Sequence, residues 1–417
     1  MHDIAKERYG KMRILQINQN YNQGSTGRIM REINDTIVSR GNEGYMLCAY
    51  TIERVPNLYV METELPRKWA GRKNELKQRI TGMSGYTAWA HTRKAVSWIK
   101  EINPDIIHIH NIHGDWINID ILFTALKLLR KPIVWTLHDC WSFTGRCSYF
   151  ENKSCFRWKT GCYNCLDKKV YPRTYFFDFS KKMWSDKKRL FTSLDELHIV
   201  TPSQWLANYV KESYLNKYEV IVVNNGINLD SFTKKNTWSK YIPQTDKKIV
   251  LGVASSWTPR KGLSDFIKLQ EMLDSDKYQI VLVGLNKRQL SELPTNIIGV
   301  ARTESVDELA ELYSNASVYL NPTYQDNYPT VNLEAIACGT PVITYRTGGS
   351  VESVPEEVGR VVDKGDVLAL KVAIEEVCND NPFSPQVCRE YAEHHFGKQD
   401  RYMHYMSLYE SIIKNRS

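Results

Sequence analysis

Asp326-Asn327-Tyr328-Pro329-Thr330-Val331-Asn332-Leu333-Glu334-Ala335-Ile336-Ala337-Cys338-Gly339-Thr340-Pro341-Val342-Ile343 is the most informative stretch of the chain. A short apolar strand pattern, Ser317-Val318-Tyr319-Leu320, and a turn containing Pro322 precede it. Leu333, Ile336 and Ala337 share one face of a helix that begins near Thr330, and Gly339-Thr340-Pro341 stops it. Val342 and Ile343 then open a buried strand. Free backbone N–H groups at such a helix start suit an anion, and a diphosphate in particular. Asp326 lies in the loop before the helix and Glu334 about one turn inside it. Carboxylates so placed accept hydrogen bonds from sugar and ribose hydroxyls. The plainer alternative is a strand–loop–helix with an exposed aspartate and a glutamate in the first turns.

The same alternation extends outward in both directions. Strand-like runs fall at 13–17, 45–49, 106–109, 132–137, 197–200 and 220–223, with amphipathic stretches between most of them. A second set falls at 248–253, 279–283, 297–300, 318–320, 342–344 and 360–362. Repeated βα alternation predicts an α/β protein of doubly wound parallel sheets. Between the sets, Asn224-Asn225-Gly226-Ile227-Asn228-Leu229-Asp230-Ser231-Phe232 and a polar stretch to about Asp246 read as an interdomain linker. A chain of 417 residues is too long for one core and long enough for two. With 42% hydrophobic and 24% charged residues it has the composition of a soluble globular protein. No apolar run reaches the length of a membrane span, and the first eight residues lack a signal-peptide apolar region, so a cytoplasmic location is expected. The net charge of +8 favours an anionic partner.

Three rims carry polar chemistry. Gly24-Ser25-Thr26-Gly27-Arg28 follows the first strand and opens a helix, a turn that lets backbone approach a phosphate or sugar; an ordinary tight turn fits as well. It is neither a dinucleotide fingerprint nor a P-loop. In Ile106-Ile107-His108-Ile109-His110-Asn111-Ile112-His113, alternation puts His108 and His110 on one strand face, and His110 at the strand's C-terminal end, where open sheets bind ligands. His108 reads as a satisfied buried histidine. Trp135-Thr136-Leu137-His138-Asp139 brings His138 and Asp139 to the same rim as binding groups, because adjacent residues seldom face each other. In the second half, Val250-Leu251-Gly252-Val253 leads through Ser256-Trp257-Thr258-Pro259 to Arg260 and Lys261 at a helix start. Two cations there are disfavoured by the helix dipole unless an anion sits among them, and they would neutralise a diphosphate leaving group.

The 326–341 stretch resembles the donor-site signature of the retaining glycosyltransferases of family 4, in which an acidic residue, seven intervening residues and a Glu precede Ala-x-Ala-x-Gly-x-Pro. Asp326 stands where that family usually has Glu, and Tyr328-Pro329 where Phe-Gly is commoner. Ser256 occupies the place of the family's arginine, with Arg260 beside the lysine instead. The resemblance runs from residue 13 to about 396. It implies the GT-B architecture: two Rossmann-like domains facing a cleft, with an N-terminal acceptor domain over 1–226, a donor domain over 227–398, and a terminal helix, 399–417, crossing back to the first. It implies catalytic roles for His110 near the donor sugar, for Lys261 and Arg260 on the diphosphate, for Asp326 on sugar hydroxyls and for Glu334 on ribose. Gly24, Gly27 and the backbone around Tyr328, Pro329, Thr330 and Val331 would bind the donor; Asn111, His113 and His138 would face the acceptor. No protein nucleophile and no cofactor is expected, the leaving phosphate helping to deprotonate the acceptor. The implied partners are a nucleotide-sugar and a glycan or polyprenyl-diphosphate-linked acceptor in surface polysaccharide assembly. A nucleotide-sugar 2-epimerase and a non-catalytic nucleotide-sugar-binding protein are the alternatives.

Cys147, Cys155, Cys162 and Cys165 crowd one insertion, the last two as Cys-x-x-Cys. A structural zinc and a set of reduced thiols are both open from this spacing, while a cytosolic location argues against disulfides. The segment 136–171 resembles an insertion in family 4 enzymes of bacterial capsule and exopolysaccharide assembly. Two basic-aromatic stretches, Arg67-Lys68-Trp69 through Ile80 and Lys181 through Phe191, suit either an anionic bilayer at the inner face of the membrane or a solvated helix face. Nucleic acid is not an expected partner, for want of a recognised motif.

Overall fold

The computed structural model describes residues 10–416 apart from 52, 62–79, 81, 115, 167, 169–173 and 381. The chain divides into two units, one of residues 1–223 with 402–417 and one of 224–401. In the first, β1 (Arg13–Asn20), β2 (Glu43–Tyr50), β3 (Leu58–Val60), β4 (Ile106–Ile109), β5 (Ile133–Thr136), β6 (Leu197–Thr201) and β7 (Val220–Val222) form a parallel sheet. Its order is β3-β2-β1-β4-β5-β6-β7. β4 and β5 are buried along their whole length, as strands covered on both faces require. Strand order reverses between β1 and β4, the place where open α/β sheets leave a crevice at their C-terminal ends.

The second unit repeats the plan with β8 (Lys248–Val253), β9 (Tyr278–Val283), β10 (Ile297–Val300), β11 (Val318–Asn321), β12 (Val342–Tyr345) and β13 (Gly359–Val362). They are parallel in the order β10-β9-β8-β11-β12-β13, with the reversal between β8 and β11. All twelve strands expected from sequence form, most of them a residue or more longer than their apolar runs. β3 was not anticipated: three residues are too few to show a period.

The expected boundaries at 226/227 and 398/399 each move three residues, to 223/224 and 401/402. The Ile227 amide donates to the Phe396 carbonyl and the Lys398 amide to the Ile227 carbonyl, which ties both crossings to the second unit. Nor is 224–246 a linker, since Ile227, Phe232 and Ile242 are buried in the second core. The terminal helix, Lys398–Arg416, lays Tyr402, Tyr405, Met406, Tyr409 and Ile412 against Ile14, Ile106, Val134 and Val200 of the first sheet. Burial of side chains this large contributes about 1.5–3 kcal/mol each.

The basic helix Ser180–Phe191 buries Met183, Leu190 and Phe191. Its half-buried Trp184 donates to the Trp158 carbonyl at 2.8 Å. Its apolar face is therefore spent on the core, and Lys181, Lys182 and Lys188 are left exposed. The other basic-aromatic stretch, except for Ile80, lies outside the described residues.

Candidate active site

At the C-terminal rim of the first sheet, β4 carries His108 and leads directly into His110, their rings 4.1 Å apart. His108 is locked: one ring nitrogen lies 2.7 Å from the Tyr409 hydroxyl and the other 2.8 Å from Thr136 Oγ1. Burial pushes its pKa down to about 3. His110 lies 3.1 Å from Gln16 Oε1 through Nε2 and 3.1 Å from His138 Nε2 through Nδ1. The Gln16 amide nitrogen is committed to the Met30 carbonyl, so its oxygen faces His110 and accepts the Nε2 proton. His110 Nδ1 then accepts from His138. Burial, then the neighbouring histidines, hold His110 well below the usual histidine range. His138 is lowered to about 4 by burial, with Asp139 opposing. These imidazoles are neutral at physiological pH, suited to binding uncharged hydroxyls rather than phosphate.

Asp139 does not face His138; it pairs with His113, whose Nε2 lies 3.0 Å from Asp139 Oδ2. The Trp141 amide donates to the same carboxylate at 2.8 Å. Burial would raise the Asp139 pKa, but His113 and these hydrogen bonds outweigh it and hold the carboxyl below its ordinary value. The Asn111 amide donates to Asn18 Oδ1 at 3.1 Å. Gly24 is the first residue of the helix Gly24–Ser39, and the Gly27 carbonyl inside it accepts the Asn22 amide at 3.1 Å. Gln16 and Asn18 were missed from sequence. The signal was there: they alternate with Leu15 and Ile17 along β1, which puts both polar side chains on one face of the strand.

At the rim of the second sheet the chemistry is ionic. The loop after β8 and the loop after β11 meet where Gly262, at φ +75, passes the Pro322 carbonyl; a Cβ there would sit 2.2 Å from that oxygen. This contact brings the Lys261 ammonium to 2.5 Å from Asp326 Oδ2 and the Arg260 guanidinium to 3.5 Å from the same oxygen. Arg260 also donates to the Gln325 carbonyl, so it does not point into solvent. Burial opposes ionisation of Asp326, but Lys261 and then Arg260 outweigh it, and the carboxyl stays below its ordinary value. Gly348 presses on the Asp326 main chain, where a Cβ would stand 2.0 Å from its carbonyl oxygen.

The helix Thr330–Ala337 starts four residues after Asp326, with Pro329 at its cap and no side chain capping it. Its first amides lack intrahelical acceptors. Beneath that start, Asn332 accepts from Asn321 at 2.8 Å and donates to Ser350 and Ser353 at 3.2 and 2.9 Å, which fixes the helix on β11. The Tyr328 carbonyl accepts from the Asn225 side chain at 3.1 Å. Glu334 is only 2% exposed and accepts from the Tyr313 hydroxyl at 3.1 Å, so it is a buried carboxylate and not a surface one. Behind the loop, Asp265 takes the hydroxyls of Tyr324 and Tyr345 at 2.8 and 2.9 Å. Nothing in the local sequence signals that pairing, which spans 59 and 80 residues.

In the cysteine insertion Cys147 lies within electrostatic reach of Cys155, Cys162 and Cys165. Among the described residues no group of three or more His, Cys, Asp or Glu side chains is disposed to hold a metal ion. All four cysteines are free thiols; Cys147 hydrogen-bonds Cys165, and Cys162 Sγ accepts the Gly145 amide at 3.0 Å. An aromatic core packs beneath the insertion: Trp158 meets Phe143 and Phe150 with ring centres 4.9 and 5.1 Å apart. The buried Lys187 Nζ, whose pKa burial pushes well down, donates to the Trp141 and Thr144 carbonyls at 2.7 and 3.2 Å and lies 3.5 Å over the Trp141 ring.

Two Rossmann-like parallel sheets are the architecture of the GT-B glycosyltransferases, which the solved structures that share this fold bear out. The family model described as Glycosyltransferase Family 4 matches residues 70–231, and that described as Glycosyl transferases group 1 matches 234–395. The two together cover most of the chain, which belongs to this glycosyltransferase family. It is 23% identical over 388 residues to the putative colanic acid biosynthesis glycosyl transferase WcaC of Escherichia coli, covering 86% of this chain and 89% of that one. Over 229 residues it is 25% identical to the N,N'-diacetylbacillosaminyl-diphospho-undecaprenol alpha-1,3-N-acetylgalactosaminyltransferase of Campylobacter jejuni, covering 50% of this chain and 59% of that one. Among solved structures, sucrose-phosphate synthase from Thermosynechococcus elongatus shares the fold with a TM-score of 0.70 at 19% identity, covering 97% of this chain and all of that one.

Proposed function

We propose that the protein is a retaining glycosyltransferase that moves a sugar from a nucleotide-sugar donor to a glycan or polyprenyl-diphosphate-linked acceptor during surface polysaccharide assembly. The observation that carries this reading is the convergence of Lys261 and Arg260 on Asp326 beside an uncapped helix start. Charge grows on a diphosphate as it leaves, and preorganised cations and amides aimed at it lower the barrier. Lys261 and Arg260 neutralise that diphosphate together with the amides near Thr330 and Val331, and Asp326 turns to sugar hydroxyls. Glu334 accepts from the ribose, and neutral His110 hydrogen-bonds the sugar. These side chains supply the positive charge themselves, so the transfer proceeds without a free divalent cation. Polysaccharide assembly is supported by the name of the Escherichia coli relative and a polyprenyl-diphosphate-linked acceptor by that of the Campylobacter jejuni relative.

The test is acceptor-dependent release of nucleoside diphosphate from a panel of nucleotide-sugars, offered with a polyprenyl-diphosphate-linked sugar. NMR of the product reads whether the anomeric configuration of the donor survives. An epimeric nucleotide-sugar formed without acceptor would establish the epimerase reading instead. Tight donor binding with no turnover on any acceptor would establish a binding protein.

A further inference from the structure

Residues 151–191 hold eleven lysines and arginines against four aspartates and glutamates, a surplus of seven in a chain whose whole surplus is eight. The cysteine insertion and the helix that follows it are thus a strongly basic segment. Lys168, Lys181, Lys182 and Lys188 are exposed there. Between these cations the chain shows its apolar side chains to solvent: Tyr175 is 58% exposed, Phe176 72%, Phe177 54% and Leu166 57%. Three consecutive outward aromatics are costly to leave in water, because burying one such side chain is worth as much as a good core contact.

The patch is built, not frayed. The Cys165 amide donates to Asp178 at 2.6 Å and the Thr174 amide to the Lys168 carbonyl at 2.9 Å, which ties the Leu166 turn to the aromatic run. Thr174 Oγ1 donates to the Ile80 carbonyl at 3.0 Å, adding exposed Ile80 to the same surface. The neighbouring helix has spent its own apolar face on the core, so this run and not the helix is the available apolar surface.

We propose that Leu166 and Tyr175–Phe177, ringed by Lys168, Lys181, Lys182 and Lys188, dock the protein on an anionic phospholipid bilayer. Rings and aliphatic side chains beside cations match the boundary between acyl chains and negatively charged headgroups. The aliphatic members, Ile80 and Leu166, discriminate against nucleic acid: they gain from hydrocarbon and nothing from base stacking. No helix among the described residues is long and apolar enough to cross a membrane, so the contact is with the surface.

The test is sedimentation of the full chain with vesicles of phosphatidylcholine, or of phosphatidylcholine with about a third phosphatidylglycerol, at low and high salt. The protein should pellet with the anionic vesicles at low salt and remain soluble with the neutral ones. Phe176→Ser with Phe177→Ser should lower partitioning about tenfold or more, as should Lys181→Glu with Lys168→Glu, while both variants keep the wild-type melting temperature and donor binding. A wild-type protein that ignores anionic vesicles overturns the proposal. So does an aromatic variant that pellets like wild type, or an RNA oligomer that binds through Phe176 and Phe177 and strips the protein from vesicles.

Discussion

The ends of β1, β4 and β5 and the ends of β8 and β11 flank the strand-order reversal in two parallel sheets wound alike, yet they solve opposite electrostatic problems. At the first, burial strips charge from His108, His110 and His138, and hydrogen bonds to Gln16, Thr136 and Tyr409 fix their orientation. At the second, Asp326 stays a carboxylate because Lys261 and Arg260 both come within 4 Å of it. The difference shows that one fold can present either a neutral or an ionic surface at a strand end. What decides is whether the loops bring a counter-charge before burial removes the charge.

The largest expected effect lies in the ionic rim. Lys261→Ala should lower kcat by about 10²–10³-fold, the usual loss when one preorganised donor to a developing anion is removed. Arg260→Ala should cost less, since its guanidinium is a full ångström farther from Asp326 and shares itself with the Gln325 carbonyl. Steady-state kinetics on both variants checks the order; a more damaging Arg260 change would mean that the clamp centres on the guanidinium.

Glu334→Ala should weaken donor binding by about 1.5–3 kcal/mol, the worth of a hydrogen bond to a charged group, read by calorimetric titration with nucleotide-sugar. Tyr313→Phe removes the hydroxyl that holds Glu334 and should reproduce only part of that loss. Unchanged donor affinity in the Glu334 variant would return the residue to a purely structural role.

Acidification separates the rims. His108 and His110 have folded pKa values below their unfolded ones, so on lowering pH the unfolded chain takes up protons near pH 6.5 that the folded unit refuses. Their stabilisation is complete above about pH 6.5 and shrinks below it by about 1.4 kcal/mol per pH unit for each histidine. Asp326 is depressed as a carboxylate, so its contribution is lost only as pH falls below the ordinary aspartate range. Hydrogen exchange at pH 7 and pH 5 should therefore show β4 and β5 losing protection before β8 and β11. Equal loss in both sheets would remove the electrostatic distinction between them.

The smallest expected effect is none. With Lys261 and Arg260 supplying the cationic charge, initial rates of transfer should be unchanged by EDTA. Immediate loss restored by magnesium or manganese would show that the ionic rim needs a metal to complete it.

Much of this was legible in the chain itself. The apolar runs of β4 and β8 were delimited to the residue, because a buried parallel strand is a continuous apolar word with polar edges. The helix at Thr330 was legible because Gly339-Thr340-Pro341 stops it and the apolar face sets its phase. The phase of β4 put His108 and His110 on one face. The terminal helix was visible in outline, but its division between the two units was not, since that depends on main-chain pairing of Ile227 with Phe396 and Lys398.

What the sequence by itself determined is the periodicity and its punctuation: twelve strands, their parallel winding, and which polar residues end them. Local backbone preference and the two repeats of hydrophobicity suffice for that. Only the tertiary structure decided who partners whom. Asp326 meets Lys261 across 65 residues and His113 meets Asp139 instead of its chain neighbour. The basic helix turns its apolar face to the core and leaves the aromatic run before it in water. Such pairings are distances between loops of different strands, set by how sheets stack and twist, and no short-range pattern in a sequence encodes a distance of that kind.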